Sequence, residues 1–220
     1  MNFRPARSAV LDIAAENRRI GGVKRFVPNQ SMRLLAFALL AFLPLAVQAH
    51  PAPVEAEGLL SGMSHPVMGL DHLLAALAVG CLAVQMGGRA FWLLPVTFVS
   101  CLLVGMIAGM GFFSTPVIEA VILSSVLVLG GMLVSPRQPP LWAGVLIVGF
   151  FALFHGHAHG SEMPVGAARH LYTFGFLITT GLLHWMAMGS VIVARHYGKT
   201  SLVRYAGAAM VCAGVALWIV

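Results

Sequence analysis

From residue 64 to its end the chain is a succession of apolar stretches, each close to the ~20 residues that a helix needs to cross a bilayer. Six are delimited, at about 64–86, 91–112, 116–134, 141–160, 169–193 and 202–219. The breaks between them, such as "GGR" at 87–89, "SPRQPP" at 135–140 and "GSEMPVG" at 160–166, carry the Gly and Pro that turns require. In lipid a helix satisfies its own backbone hydrogen bonds. The expected fold is therefore all-α: a polytopic bundle of six transmembrane helices. Only 9% of residues are charged, against roughly a quarter in soluble domains.

The front end reads differently. Residues 1–33 hold seven of the thirteen Lys and Arg, whereas from His50 onward six basic residues face five acidic ones. The overall basicity thus belongs to the leader and gives no basic face for nucleic acid. "MRLLAFALLAFLPLAVQAHPA" has the anatomy of a secretory signal peptide, with Arg33, an apolar core at 34–45 and small residues before a cut after Ala49. Residues 1–31 read as a non-structural extension or a mis-assigned start upstream of Met32, residues 32–49 as the signal peptide, and 50–220 as the membrane domain. Cleavage would leave His50 with a free amine and an imidazole, an external point for metal capture. It would also start the mature chain outside the membrane. Alternating loops then place Arg89, Arg137, Arg195 and Lys199, with Arg204 beside them, inside, and only Arg169 outside, as the positive-inside rule expects. Both mature termini are expected on the periplasmic side of a bacterial inner membrane.

Against this apolar background two polar clusters stand out. "HPVMGLDH" (65–72) opens the first span, and "FHGHAHGSE" (154–162) closes the fourth. On a continuous helix His65 and His72 share a face at nearly two turns' separation, ~10 Å in depth, with Met68 or Gly69 between them. Pro66 fits a first-turn position, and Asp71 lies beside that face, as a ligand or as an orienting partner of His72. His155, His159 and Glu162 fall on one face of the fourth span, and His157 points away unless Gly156 and Gly160 loosen the backbone. Both clusters belong at the outer ends of their spans. Ionisable groups at membrane depth mark sites or pathways, and imidazole with carboxylate suits a borderline divalent ion such as Ni²⁺, Co²⁺ or Zn²⁺. Cys81, Cys101 and Cys212 lie in apolar segments away from both clusters and read as packing residues. Glu119, His170, His184 and His196 read as solitary interface or packing residues.

The two stretches resemble the HPxxGxDH and FHGxAHGxE signatures of the HupE/UreJ family, and the resemblance extends over about residues 32–220. It implies a secondary transporter, a nickel or cobalt permease supplying hydrogenase or urease, with His65, Asp71, His72, His155, His159 and Glu162 as the functional positions. The metal is then a transported substrate, with no permanently bound cofactor and no enzymatic activity. His157 occupies a variable position of the signature. No GxxxxGK[ST] loop is present, so the expected driving force is the membrane potential or an ion gradient. The two clusters sit at opposite ends of their own spans, which does not fit an inverted repeat. Because ligating histidines must be neutral, uptake is expected to fail in acid. Two other readings of the residues stay open: an intramembrane Zn-dependent hydrolase with Asp71 or Glu162 as base, and a b-type haem protein with axial histidines.

Overall fold

The computed structural model describes residues 54–110, 115–164 and 166–219. The expected extension, the signal peptide and His50 lie outside them. Among the described residues there are seven helices and no strand: α1 (Val54–Met68), α2 (Leu70–Met86), α3 (Ala90–Gly109), α4 (Pro116–Val134), α5 (Leu141–Ser161), α6 (Arg169–His196) and α7 (Ser201–Ile219). The last five are long and apolar enough to cross a membrane, and the α1–α2 pair makes a sixth crossing if its two bent arms are taken together. The chain is a multi-pass helical membrane protein. Its surface agrees, for Trp92, Val104, Ile107, Leu146, Phe174 and Trp185 are all exposed. Lipid solvates such side chains where water would not.

Spans two to six keep their expected bounds to within a few residues. The first does not. In place of one helix over 64–86, α1 and α2 meet at Gly69 with a bend of 78°. The cause is local. Pro66 has no N–H to donate into the last turn of α1 and disfavours a helical residue before it. Gly69 then leaves the helix in extended geometry (φ −81°, ψ 108°). Pro66 lies inside the last turn of α1 and does not initiate a span. His65 and His72 consequently sit on different helices, and neither a shared helical face nor a ~10 Å depth step describes them.

Small residues set the packing. α3 crosses α5 at its closest through two glycine pairs, Gly105 with Gly109 and Gly156 with Gly160. A Cβ at any of the four would collide with backbone of the other helix: Leu153, His157, Leu102 and Met106, respectively. Membrane helices approach most tightly at small-xxx-small positions of this kind. The glycines of "FHGHAHG" are therefore packing residues on an unbroken α5, and they do not loosen the backbone around His157. Elsewhere α6 packs on α1 and α2, and α7 on α4. Phe98, Leu102, Met106, Leu129, Leu133, Val148 and Phe176 fill the middle of the bundle.

The loops sort into two ends. The Gln85 amide donates to the Leu133 carbonyl and Arg195 to the Gln85 carbonyl, which gathers the 87–89, 135–140 and 197–200 turns at one end. That end carries Arg89, Arg137, Arg195, Lys199 and Arg204. Asp71, Glu119 and Glu162 gather at the other, around a cavity of ≈ 230 Å³.

Candidate metal centre

The bend at Gly69 directs both halves of the first motif toward one turn of α5. The His65 ring lies 4.9 Å from that of His159, and the His72 ring 5.0 Å from it, both edge to face. His72 also meets His155 at 5.4 Å. Two groups of metal-capable residues result, His72 with His155 and His159, and His65 with His159 and Glu162. Within each group one ligand atom per residue lies within 4.8 Å of the others. His159 belongs to both.

The inner group is buried: His72 is 0% exposed, His155 0% and His159 5%. Phe176 packs on His72 and His159 at 4.8 Å each, and Phe98 on His72 at 5.9 Å. A buried imidazole in such surroundings must have its polar edges satisfied, and here one edge of each is. His72 Nε2 faces Thr180 Oγ1 at 3.1 Å, while the Thr180 hydroxyl donates its only proton to the Phe176 carbonyl at 2.9 Å. His155 Nε2 faces Ser125 Oγ at 2.9 Å, and Ser125 donates to the Ile122 carbonyl at 2.6 Å. Each hydroxyl has one proton, so each must accept from the imidazole. Nε2 is therefore the protonated nitrogen in both rings. His159 donates through Nδ1 to Glu162 Oε2 at 3.2 Å. What remains is one lone pair per ring, on His72 Nδ1, His155 Nδ1 and His159 Nε2. None of these three buried nitrogens has a hydrogen-bond partner. Partners that fix the tautomer and aim the free nitrogen are what metal-ligating histidines require.

The outer group is more open. Glu162, just past the end of α5, is about half exposed. Its Oε2 accepts from His65 Nε2 at 3.3 Å as well as from His159. Those two hydrogen bonds, His159's first, hold its carboxyl down at about 2. Asp71 joins neither group. Its Oδ1 accepts from the backbone N–H of His72 at 2.7 Å, so it fixes the first turn of α2 and leaves the His72 ring alone. It also lines the ≈ 230 Å³ cavity with Glu119, His159 and Glu162. Glu119, which its solitary position in the sequence made look incidental, thus faces the same space as the motif carboxylates.

Met68 is 69% exposed and stands outside both groups, as does His157. His170 and His196 are exposed on α6. Ser125 and Thr180 escaped the sequence reading. The signal for them was faint: hydroxyls in mid-span, in "LSSV" and "LITTG", where any apolar residue would insert more easily.

The chain matches the HupE / UreJ protein family over residues 37–217. It is 38% identical over 177 residues to Protein HupE of Rhizobium leguminosarum bv. viciae, an alignment covering 80% of this chain and 91% of that relative. No solved structure matches it.

Proposed function

Because this chain belongs to the HupE / UreJ family, we propose that it is a permease importing a divalent transition-metal ion, Ni²⁺ ahead of Co²⁺, across a bacterial cytoplasmic membrane. The observation that carries the reading is the set of three oriented, unpartnered nitrogens on His72, His155 and His159. Three neutral imidazoles in a dry pocket make a site for a borderline divalent ion and a poor one for Mg²⁺ or Ca²⁺, which take oxygen ligands.

The geometry supports a sequence of events. Asp71, Glu119 and Glu162 around their cavity attract a hydrated cation to that end of the bundle. The His65–His159–Glu162 group offers the first exchange of water for nitrogen and carboxylate oxygen. To move on, the ion leaves Glu162 and meets the lone pairs of the inner three. His159 touches both groups: its Nε2 lone pair faces the inner one, and its protonated Nδ1 donates to Glu162 of the outer one. Glu162 keeps the His159 tautomer fixed, and Ser125 and Thr180 do the same for His155 and His72. With the Arg-rich end in the cytoplasm, as the positive-inside rule favours, the carboxylate end and both mature termini face the periplasm. Inward movement of a divalent ion then gains about 4.6 kcal/mol at 100 mV, without ATP. Supply of a hydrogenase, urease or cobalamin pathway is the downstream role this assigns.

A Zn-dependent hydrolase would need a carboxylate base beside the three imidazoles. Asp71 is engaged by a backbone N–H, and Glu162 sits on the Nδ1 side of His159, away from its free nitrogen. A haem would need a slot where Phe98 and Phe176 pack directly on the rings. Both are weaker readings. The test is Ni²⁺ accumulation in cells expressing the protein, against His72→Ala, His155→Ala and an empty vector. Accumulation that rises with wild type alone supports the permease. Equal accumulation in all four removes it.

A further inference from the structure

Beyond these residues lies another buried histidine, one that neither motif includes. We infer that His184 is a second, deeper ligand for the transported cation, to which the His72–His155–His159 site hands it. This rests on the permease reading.

His184 is 1% exposed, and neither of its ring nitrogens has a hydrogen-bond partner. A buried donor or acceptor left unmade costs about 1–3 kcal/mol, and a leucine would fill the space without that cost. Its place is not random. Thr180, the residue that orients His72, lies four positions earlier on α6, so His184 sits one helical turn further along the same face. α6 is pressed against α2 at this level: a Cβ at Gly80 would meet the His184 carbonyl oxygen at 2.5 Å and its Cα at 3.1 Å. Gly80 is eight residues beyond His72, away from the carboxylate end. The Phe98 ring touches the imidazoles on both levels, lying 5.9 Å from His72, 6.2 Å from His155 and 5.2 Å from His184. His184 also borders a groove of ≈ 270 Å³ between α3 and α6, which Ser100 lines and which opens beside the exposed Trp92 and Trp185.

Conduction needs a site strong enough to admit an ion and a weaker neighbour to receive it. Three imidazoles alone would hold the ion. A single imidazole one turn deeper, with both nitrogens uncommitted, gives it somewhere to go. His184 is thus an acceptor station whose loss slows release from the His72–His155–His159 site without abolishing binding there.

The experiment uses full-length protein in lipid vesicles, with Ni²⁺ outside and a metal-sensitive dye within, and equilibrium Ni²⁺ binding measured on the same preparations. His184→Leu fills the volume without a ligand. His184→Ser and His184→Cys form a pair of similar size in which only the thiolate binds metal well. The expectation is a fall in Ni²⁺ flux of about tenfold or more for Leu and Ser, the scale on which supporting residues of metal sites act, with Ni²⁺ affinity within about threefold of wild type and flux partly restored by Cys. Flux in the Leu and Ser variants equal to wild type overturns the inference, as does an equal loss in Cys and Ser. Absence of flux in wild type itself sinks the permease reading and this inference with it, whereas wild-type flux unmoved by any His184 variant sinks this inference alone.

Discussion

Thr180 Oγ1 lies 3.1 Å from His72 Nε2 and has already given its proton to the Phe176 carbonyl. It can only accept, and that fixes which nitrogen of His72 stays open. Ser125 does the same for His155. Two of the three free lone pairs of the inner site are thus set by hydroxyls, and the third, on His159, by Glu162.

From this it follows that Thr180→Val and Ser125→Ala, which preserve most of the packing, should each reduce Ni²⁺ uptake by roughly 10- to 100-fold, the usual effect of removing an orienting partner. Thr180→Ser should retain most of it. Uptake assays normalised to membrane-inserted protein decide the matter, and full activity in both variants would remove the orienting role.

The α3–α5 crossing predicts a contrast in stability. Gly156→Ala or Gly105→Ala places a Cβ against the facing backbone, and overpacking of this kind costs about 1–3 kcal/mol. Gly131→Ala meets nothing within 4 Å and, by helix propensity alone, is neutral or slightly stabilising. Melting temperatures of the detergent-solubilised protein should fall for the first two only. A similar fall at Gly131 would contradict the packing argument.

Glu162 gives a pH dependence of defined sign. Its carboxyl is held at about 2 by His159 and His65, below the usual carboxylate value near 4.5. A depressed folded-state value contributes stability that is complete above the unfolded value and is lost as pH falls through the folded one. The melting-temperature gap between wild type and Glu162→Gln should therefore persist from neutral pH to about 4.5 and close towards about 2. It should be small, since the side chain is about half exposed and solvent screens such pairs. A gap that widens steadily between pH 4.5 and 2 would reverse the sign and refute the assignment.

The break at Gly69 predicts a separable effect. Gly69→Leu favours continuing α1 into α2, and a straight helix would carry His65 away from His159. Uptake should fall while Gly131→Ala, a substitution within α4 with open space around it, leaves uptake within about twofold of wild type, as surface changes usually do. Cysteine cross-linking between positions 65 and 159 reports the geometry directly. Efficient cross-linking in the Gly69→Leu background would show that the bend is not what brings them together.

Much of this architecture was legible in the sequence, and for identifiable reasons. Spans two to six followed from apolar length and the Gly and Pro between runs, because lipid leaves a chain few alternatives. His65, His72, His155, His159 and Glu162 drew attention because ionisable groups are costly there. The break at Gly69 was hidden by the same logic. Apolar residues continue on both sides of it, and hydropathy does not register that Pro66 lacks a donor. Gly156 and Gly160 looked like points of looseness because what faces a glycine is a tertiary fact, here the Leu102 and Met106 backbone. Asp71, by its spacing a ligand or an orienting partner of His72, accepts from the His72 N–H; spacing alone does not say which atom of a neighbour a carboxylate meets. Thr180 and Ser125 come from α6 and α4, far in sequence from the rings they orient.

The proposed function is the movement of a divalent metal ion through an imidazole site. It is tested most directly by Ni²⁺ flux into vesicles containing only the purified protein, with the interior negative, and with Co²⁺, Zn²⁺ and Mg²⁺ offered as competitors. The expected flux is well above that of protein-free vesicles, suppressed by Co²⁺ and indifferent to Mg²⁺, and lost in His72→Ala and His159→Ala. Flux no greater than the protein-free background, or equal in wild type and both variants, would contradict it.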